Sequence, residues 1–294
     1  MMNAMLPRRR TTLLAAAVLA VAGLALASVV AAPAPGANAS ISIGKPDKPG
    51  KPPGGGGGGG GTTQLAYAAL GDSYAAGTGA RSYLDTSCYR SSLGYPKLLD
   101  ADANVLLAAF PACSGASTVE VIAGQVPAIP VTATRITLTV GGNDVGFAAV
   151  MQNCFVFVSS SCLGHIQNGE QMVTDGVVAE RITATVAAIR AKAAPGAKII
   201  VTGYPLLFNL PNAKYNTWAG RVNGDTVALN DAIQAAAVAS GAVFVDVETA
   251  FAGHGIGSSS PWINDFNLFR STDGFHPNAT GYTAYATEIR KVIG

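Results

Sequence analysis

Downstream of residue 63 the apolar positions fall into two recurring patterns, short unbroken runs and longer stretches with helical spacing. The run Tyr67-Ala68-Ala69-Leu70 has strand length and stops at Gly71-Asp72-Ser73, ahead of Tyr74. Short apolar runs closed by glycine read as buried strands. Leu93 to Ala103 predicts a short helix and Asn104 to Phe110 a second strand. Ser117 with Glu120 three residues later is a capping box that opens a brief helix. Arg135 to Val140 alternates Ile136, Leu138 and Val140 with polar partners, then breaks at Gly141-Gly142. Val178, Ile182, Val186 and Ile189 mark one face of a long helix that ends before Pro195-Gly196. Lys198 to Thr202 and Val243 to Val247 predict two more strands, with an alanine-rich helix from about Gly220 to Ser240 between them. A last helix is expected from about Thr280 to Val292. Strands separated by helices imply a parallel sheet with helices on both faces, an α/β domain. There is no internal repeat.

The first 63 residues follow neither pattern. Arg8-Arg9-Arg10 precedes an almost unbroken apolar run, Leu13 to Ala32, and Ala37-Asn38-Ala39 supplies a small-x-small cleavage site. This order predicts a signal peptide over residues 1–39 and a secreted protein. A membrane anchor is the alternative, but Pro33 and Pro35 close the run with no basic cluster directly behind. Residues 40–63 read as a Pro/Gly-rich linker that ends in a glycine run, Gly54 to Gly61. No Gly-Lys-Ser/Thr closes that run, so it is not a phosphate-binding loop. The catalytic domain is therefore expected over residues 64–294.

Charge excludes one class of partner. The formal net charge is +2, but residues 1–61 alone carry more than that excess, and residues 62–294 sum to −3. A mildly acidic body argues against nucleic acid. The four cysteines, Cys88, Cys113, Cys154 and Cys162, suit two disulfides in a secreted chain. Of three possible connectivities, nearest-neighbour pairing is expected: Cys88–Cys113 and Cys154–Cys162. A zinc site is the competing reading, but no Cys-x-x-Cys is present and only His165 lies nearby.

The chemistry sits where strands end. Gly71-Asp72-Ser73 follows the first strand, Cys113-Ser114-Gly115 the second and Gly141-Gly142-Asn143-Asp144 the third. Asp273-Gly274-Phe275-His276 lies just before the final helix. A parallel sheet gathers such turns on one edge. Ser73 can supply a nucleophile, His276 a base, Asp273 a group to orient that base. The Gly115 N–H and the Asn143 amide can aim at an oxyanion.

These four segments, in this order, resemble the SGNH or GDSL-type hydrolases, and among them the secreted actinobacterial lipases and esterases. Cys88-Tyr89-Arg90-Ser91, Tyr95-Pro96 and Gly141 through Phe147 add to the likeness. It runs from about Tyr67 to the C-terminus. An α/β-hydrolase is excluded, because its Gly-x-Ser-x-Gly elbow would need glycine where Ala75 stands. The resemblance implies a flavodoxin-like three-layer α/β/α sandwich and a Ser73–His276–Asp273 triad. It also implies an oxyanion hole from the N–H groups of Ser73 and Gly115 and the side chain of Asn143. Some similar hydrolases orient the histidine with a backbone carbonyl instead. Relatives often carry a third disulfide in the later half, whereas this chain has no cysteine after Cys162.

Asp72 and Asp144 are expected to hydrogen-bond turn amides rather than to catalyse. His165 reads as a surface residue and His254, between two glycines, as a solvated loop residue. Phe147, Tyr204, Pro205, Leu206, Leu207 and Phe208 are candidates for an acyl-binding wall. The expected reaction is hydrolysis of a small-molecule or lipid ester, by family likeness a fatty-acyl one, by a monomer that touches lipid interfaces transiently and needs no cofactor or metal. A carbohydrate acetyl esterase or a thioesterase could use the same groups. A non-catalytic wall-binding module is the remaining class.

Overall fold

In a computed structural model, which describes residues 64–294, five strands form one parallel sheet. They are β1 (Leu65–Gly71), β2 (Val105–Ala109), β3 (Arg135–Thr139), β4 (Lys198–Thr202) and β5 (Val243–Val245). Their order is β2-β1-β3-β4-β5, every pair parallel. The signal peptide and linker expectations lie outside the described residues. No helix of the described residues is long and apolar enough to cross a membrane.

The helices are α1 (Ser73–Ala76), α2 (Tyr95–Asp100), α3 (Thr118–Glu120), α4 (Phe147–Met151), α5 (Cys162–Thr174), α6 (Val177–Lys192), α7 (Ala219–Ala239), α8 (Glu248–Phe251) and α9 (Ala279–Ile293). Helix α2 packs with α9, and α6 with α7. The architecture is the expected α/β sandwich. Its strand order reverses direction at β1 and β3, and open sheets of this kind bind ligands at the carboxyl edge of that switch point. Ser73 and Asn143 follow these two strands.

The alternation in β3 carries a different meaning from the one its sequence suggests. Ile136 and Leu138 are buried, but so are Thr137 and Thr139. A strand covered on both faces has no solvent side. The threonine hydroxyls instead bond inside the core: Thr137 with the Tyr67 hydroxyl at 2.7 Å, and Thr139 with Tyr95 at 3.0 Å and Thr202 at 2.6 Å. Tyr285 of α9 continues this chain to Thr202 and stacks on Tyr95. A buried hydroxyl is costly unless bonded, and each of these is bonded.

Helix α6 buries Val178, Ile182, Val186 and Ile189 as their spacing predicts. Ile182→Ala would remove about 2–5 kcal/mol of stability by opening a cavity there. Helices α4 and α5 are not apparent from the sequence, although α5 buries Cys162, Ile166 and Gly169 at helical spacing. They are held by tertiary means. Cys154 and Cys162 form a disulfide that ties the turn after α4 to the start of α5. A side chain at Gly169 would stand 2.8 Å from the Val145 carbonyl, so only glycine lets α5 cross the turn after β3 so closely. The second disulfide joins Cys88 to Cys113, and no described cysteine is free.

The later half holds its loops with amide side chains. Asn230 clamps the N–H and carbonyl of Tyr204, and Asn223 does the same to Phe208. Asn212 accepts from Lys214 and Tyr215 and donates to the Ile256 carbonyl. These contacts cross-link the segment after β4 where no cysteine is available.

Candidate active site

The turn after β1 is built before Ser73 is reached. Gly71 has φ +130°, and a Cβ there would lie 2.0 Å from the Thr139 carbonyl oxygen, so no other residue fits. The Gln125 side chain donates to the Gly71 carbonyl and accepts from its N–H, at 2.8 and 2.7 Å. Asp72 caps α1 by accepting from the Tyr74 N–H at 2.9 Å. Ser73 then opens the helix with its Oγ 2.8 Å from His276 Nε2.

His276 Nδ1 lies 2.9 Å from the Gly274 carbonyl oxygen. A carbonyl only accepts, so Nδ1 carries the proton and Nε2 is left with a lone pair toward Ser73. This differs from the expectation for Asp273. The Asp273 carboxylate accepts from the Tyr83 hydroxyl at 2.7 Å and from Arg81 Nε at 3.3 Å, and it makes no hydrogen bond to His276. The reason is local backbone geometry. Phe275 adopts φ +63°, a left-handed bend that brings the Gly274 carbonyl under the imidazole and leaves Asp273 facing the Arg81 loop. The bend is held by Tyr74, whose hydroxyl donates to the Phe275 carbonyl at 2.8 Å.

The ring is half-buried, and the dense packing around it pushes the imidazole down from its ordinary range to about 4. Desolvation is the main cause. The Gly274 and Thr272 carbonyls, and after them the Asp273 charge, pull the other way. The imidazole is thus neutral across the physiological range.

The turn after β3 is tied to the nucleophile by a short relay. Tyr204 donates to Asp72 Oδ2 at 2.5 Å and accepts from the Gly142 N–H at 3.0 Å. Burial raises the Asp72 carboxyl to about 7, against the lowering effect of bonds from Tyr204, Tyr74 and Ala75. Asp144 accepts from the N–H and hydroxyl of Thr118 and from Arg181, joining this turn to α3 and α6. Asn143 donates one amide hydrogen to the Ala116 carbonyl at 3.0 Å, which fixes its plane and leaves a second N–H. Gly115 has φ +87°, and its N–H, like that of Ser73, donates to no described group. Its turn reaches the nucleophile through the Cys113 N–H, 3.0 Å from the Gly71 carbonyl.

A cavity of about 180 Å³ starts at Ser73 and Asn143. Of the expected acyl wall, Phe147, Tyr204, Pro205 and Leu207 line it, together with Val150, Met151, Ile166 and Val173. Leu206 and Phe208 do not; Phe208 stacks on Phe155. The far end is polar. Glu170 is held below its usual range chiefly by Arg221, which grips it with two bonds, while burial and then Glu170 raise Asp225 to about 6. His254 is not a free loop residue: its ring stacks flat on Trp262 at 3.6 Å and its Nδ1 meets the Ser260 carbonyl. Among the described residues no cluster of His, Cys, Asp or Glu suits a metal ion.

A serine–imidazole contact at the switch point of such a sheet is shared by many hydrolases, and comparison separates them. The model of the GDSL-like Lipase/Acylhydrolase family matches residues 69–284. The chain belongs to that family. This GDSL-like hydrolase is 36% identical to Lipase 1 of Streptomyces coelicolor over 73% of its own length and 81% of that protein. The crystal structure of an extracellular lipase from Streptomyces rimosus matches 77% of this chain and 99% of its own, with 32% identity and a TM-score of 0.72. That of phospholipase A1 from Streptomyces albidoflavus matches 78% and 99%, with 32% identity and a TM-score of 0.70. The GDSL-like hydrolase is accordingly a carboxylic ester hydrolase.

Several residues of the site escape sequence reading. Gln125, Tyr74 and Arg81 act through partners 54 to 201 positions away. No spacing rule connects such pairs. The one available signal was that Tyr74 belongs to the same unbroken motif as Ser73.

Proposed function

We propose that the protein is an exported hydrolase of fatty-acyl esters, acting through Ser73 and His276. The observation that carries this reading is the serine–imidazole pair opening onto an apolar cavity. Ser73 Oγ attacks the ester carbonyl while its proton passes to His276 Nε2. The Ser73 and Gly115 N–H groups and the free Asn143 N–H stabilise the oxyanion, each worth about 3 kcal/mol at the transition state. The C–O bond then breaks and the leaving alcohol takes the proton from Nε2. Water repeats the sequence on the acyl-enzyme and releases the acid. The Gly274 carbonyl supports the imidazolium in the role an aspartate plays in a triad. Two disulfides and the leader pattern of residues 1–39 support export.

An apolar wall favours an alkyl chain over a sugar. The test is turnover of p-nitrophenyl esters of graded chain length beside a phospholipid and acetylated xylan. We expect kcat/KM to rise from acetate to medium chains, with labelling of Ser73 by an organophosphonate. Turnover of the xylan with none of the longer esters would refute the fatty-acyl reading.

A further inference from the structure

We infer that two loop tips, Phe157-Val158 and Leu268-Phe269, are the surface by which this enzyme enters a phospholipid–water interface. The inference rests on the acyl-ester reading above and names the physical form of the substrate. Phe269, Leu268, Phe157 and Val158 are 93%, 76%, 73% and 71% exposed, the four highest values among the described large apolar side chains. Val131, at 68%, comes next but lies in the turn that leads into β3, at the opposite edge of the sheet. Water contact of this extent at four adjacent-in-pairs positions is unfavourable unless a partner removes it.

Both tips root on one aromatic cluster beside the catalytic base. Phe155, two residues before Phe157, lies 5.8 Å from the Phe275 ring, and Phe266, two before Leu268, stacks on Phe275 at 6.4 Å. Phe275 adjoins His276. The tips therefore flank the loop that carries the base.

Neither tip is a slack loop. Val158 holds φ +45°, a conformation disfavoured for a β-branched residue. It is kept there by the Cys154–Cys162 disulfide, by Ser159 N–H donating to the Asn153 carbonyl, and by Ser159 and Ser161 hydroxyls on Asn153 Oδ1. The second tip opens a short 3-10 helix, Leu268–Asp273, whose N-cap Asn267 side chain accepts from the Phe269 N–H. Backbone strain that keeps apolar side chains in water indicates a use for them there.

The shape selects the occupant. Four exposed apolar side chains in two short pairs on separate segments suit a fluid surface, which each pair can enter independently. Arg270, next to Phe269, is exposed and makes no ion pair among the described residues, so it is available to a lipid phosphate.

The test uses the full chain and separates binding from turnover. In an inactive Ser73→Ala background, the tip variants Leu268→Ser/Phe269→Ser and Phe157→Ser/Val158→Ser are sedimented with phosphatidylcholine–phosphatidylglycerol vesicles. Each pair should weaken partitioning by about tenfold or more. In the active enzyme the same pairs should leave kcat/KM on soluble p-nitrophenyl butyrate within twofold while turnover of vesicle lipid falls. Unchanged vesicle binding in both pairs would overturn the inference, and so would a dimer of the parent chain that the substitutions convert to monomer. If the acyl-ester reading alone is at fault, the parent chain binds vesicles through the tips but hydrolyses none of their lipid.

Discussion

The turn that carries Ser73 and the turn that carries His276 are held in place differently. Ser73 follows a strand in the middle of the sheet, and its surroundings are fixed at the strand end itself: the Gly71 backbone against Thr139, the Gln125 side chain clamped on the Gly71 peptide, and the Asp72 side chain capping the next helix. His276 lies on a long connection outside the sheet, paired through its backbone to Asn264 and held further by side chains reaching in from elsewhere. Tyr74 holds the Phe275 carbonyl, Asn264 holds the His276 carbonyl, and Arg81 and Tyr83 hold Asp273. The aspartates of the two turns show the consequence. Asp72 is wired to the oxyanion side through Tyr204, whereas Asp273 serves the loop and leaves the imidazole to a main-chain carbonyl. An acidic residue three positions before a histidine is therefore insufficient evidence that the two are hydrogen-bonded.

The sharpest way to break this comparison is to remove the two groups that meet. Ser73→Ala and His276→Ala should each lower kcat by about four orders of magnitude or more, and the double variant by little beyond either. Additive losses on a soluble ester would show that the two do not act as a unit. Asn143→Ala comes next. It should cost about 10²–10³ in kcat with little change in KM, because the charge it meets exists only in the transition state. A change confined to KM would make it a ground-state contact.

The pH profile tests the base turn. His276 works only as neutral imidazole, which persists above its lowered value of about 4. The acid limb of kcat/KM should thus fall about tenfold per pH unit below that point and stay flat through pH 6. A midpoint at the ordinary histidine value of 6.5 would mean that the ring is more hydrated than its packing implies. The smallest expected change is the most discriminating. Asp273→Asn should lower kcat/KM by less than about tenfold, since the Gly274 carbonyl still sets the tautomer, while stability falls by about 1–3 kcal/mol through the weakened Arg81 and Tyr83 contacts. A thousandfold loss on a soluble ester would restore the triad.

Much of this protein is settled by local rules acting on its sequence. The five strands and the helices α2, α6, α7 and α9 follow from apolar runs and 3.6-residue spacing, and the Ser117–Glu120 capping box is formed as read. Gly71 next to Asp72-Ser73 is likewise legible, because a strand closed by glycine has few other uses. What the sequence left open involves partners far apart along the chain. Helix α4 is a single short turn, and the buried face of α5 includes a cysteine and a glycine among few apolar residues, so neither stands out in the sequence; both depend on a disulfide and on Gly169 meeting Val145. The buried hydroxyls of Thr137 and Thr139 look like solvent-facing polar positions until Tyr67, Tyr95 and Thr202 are brought beside them. The orientation of His276 turned on which acceptor came closer, an aspartate three residues back or a carbonyl two residues back. Composition does not encode that choice. It was made by the left-handed bend at Phe275 and by a tyrosine 201 positions away, and only tertiary packing brings those two together.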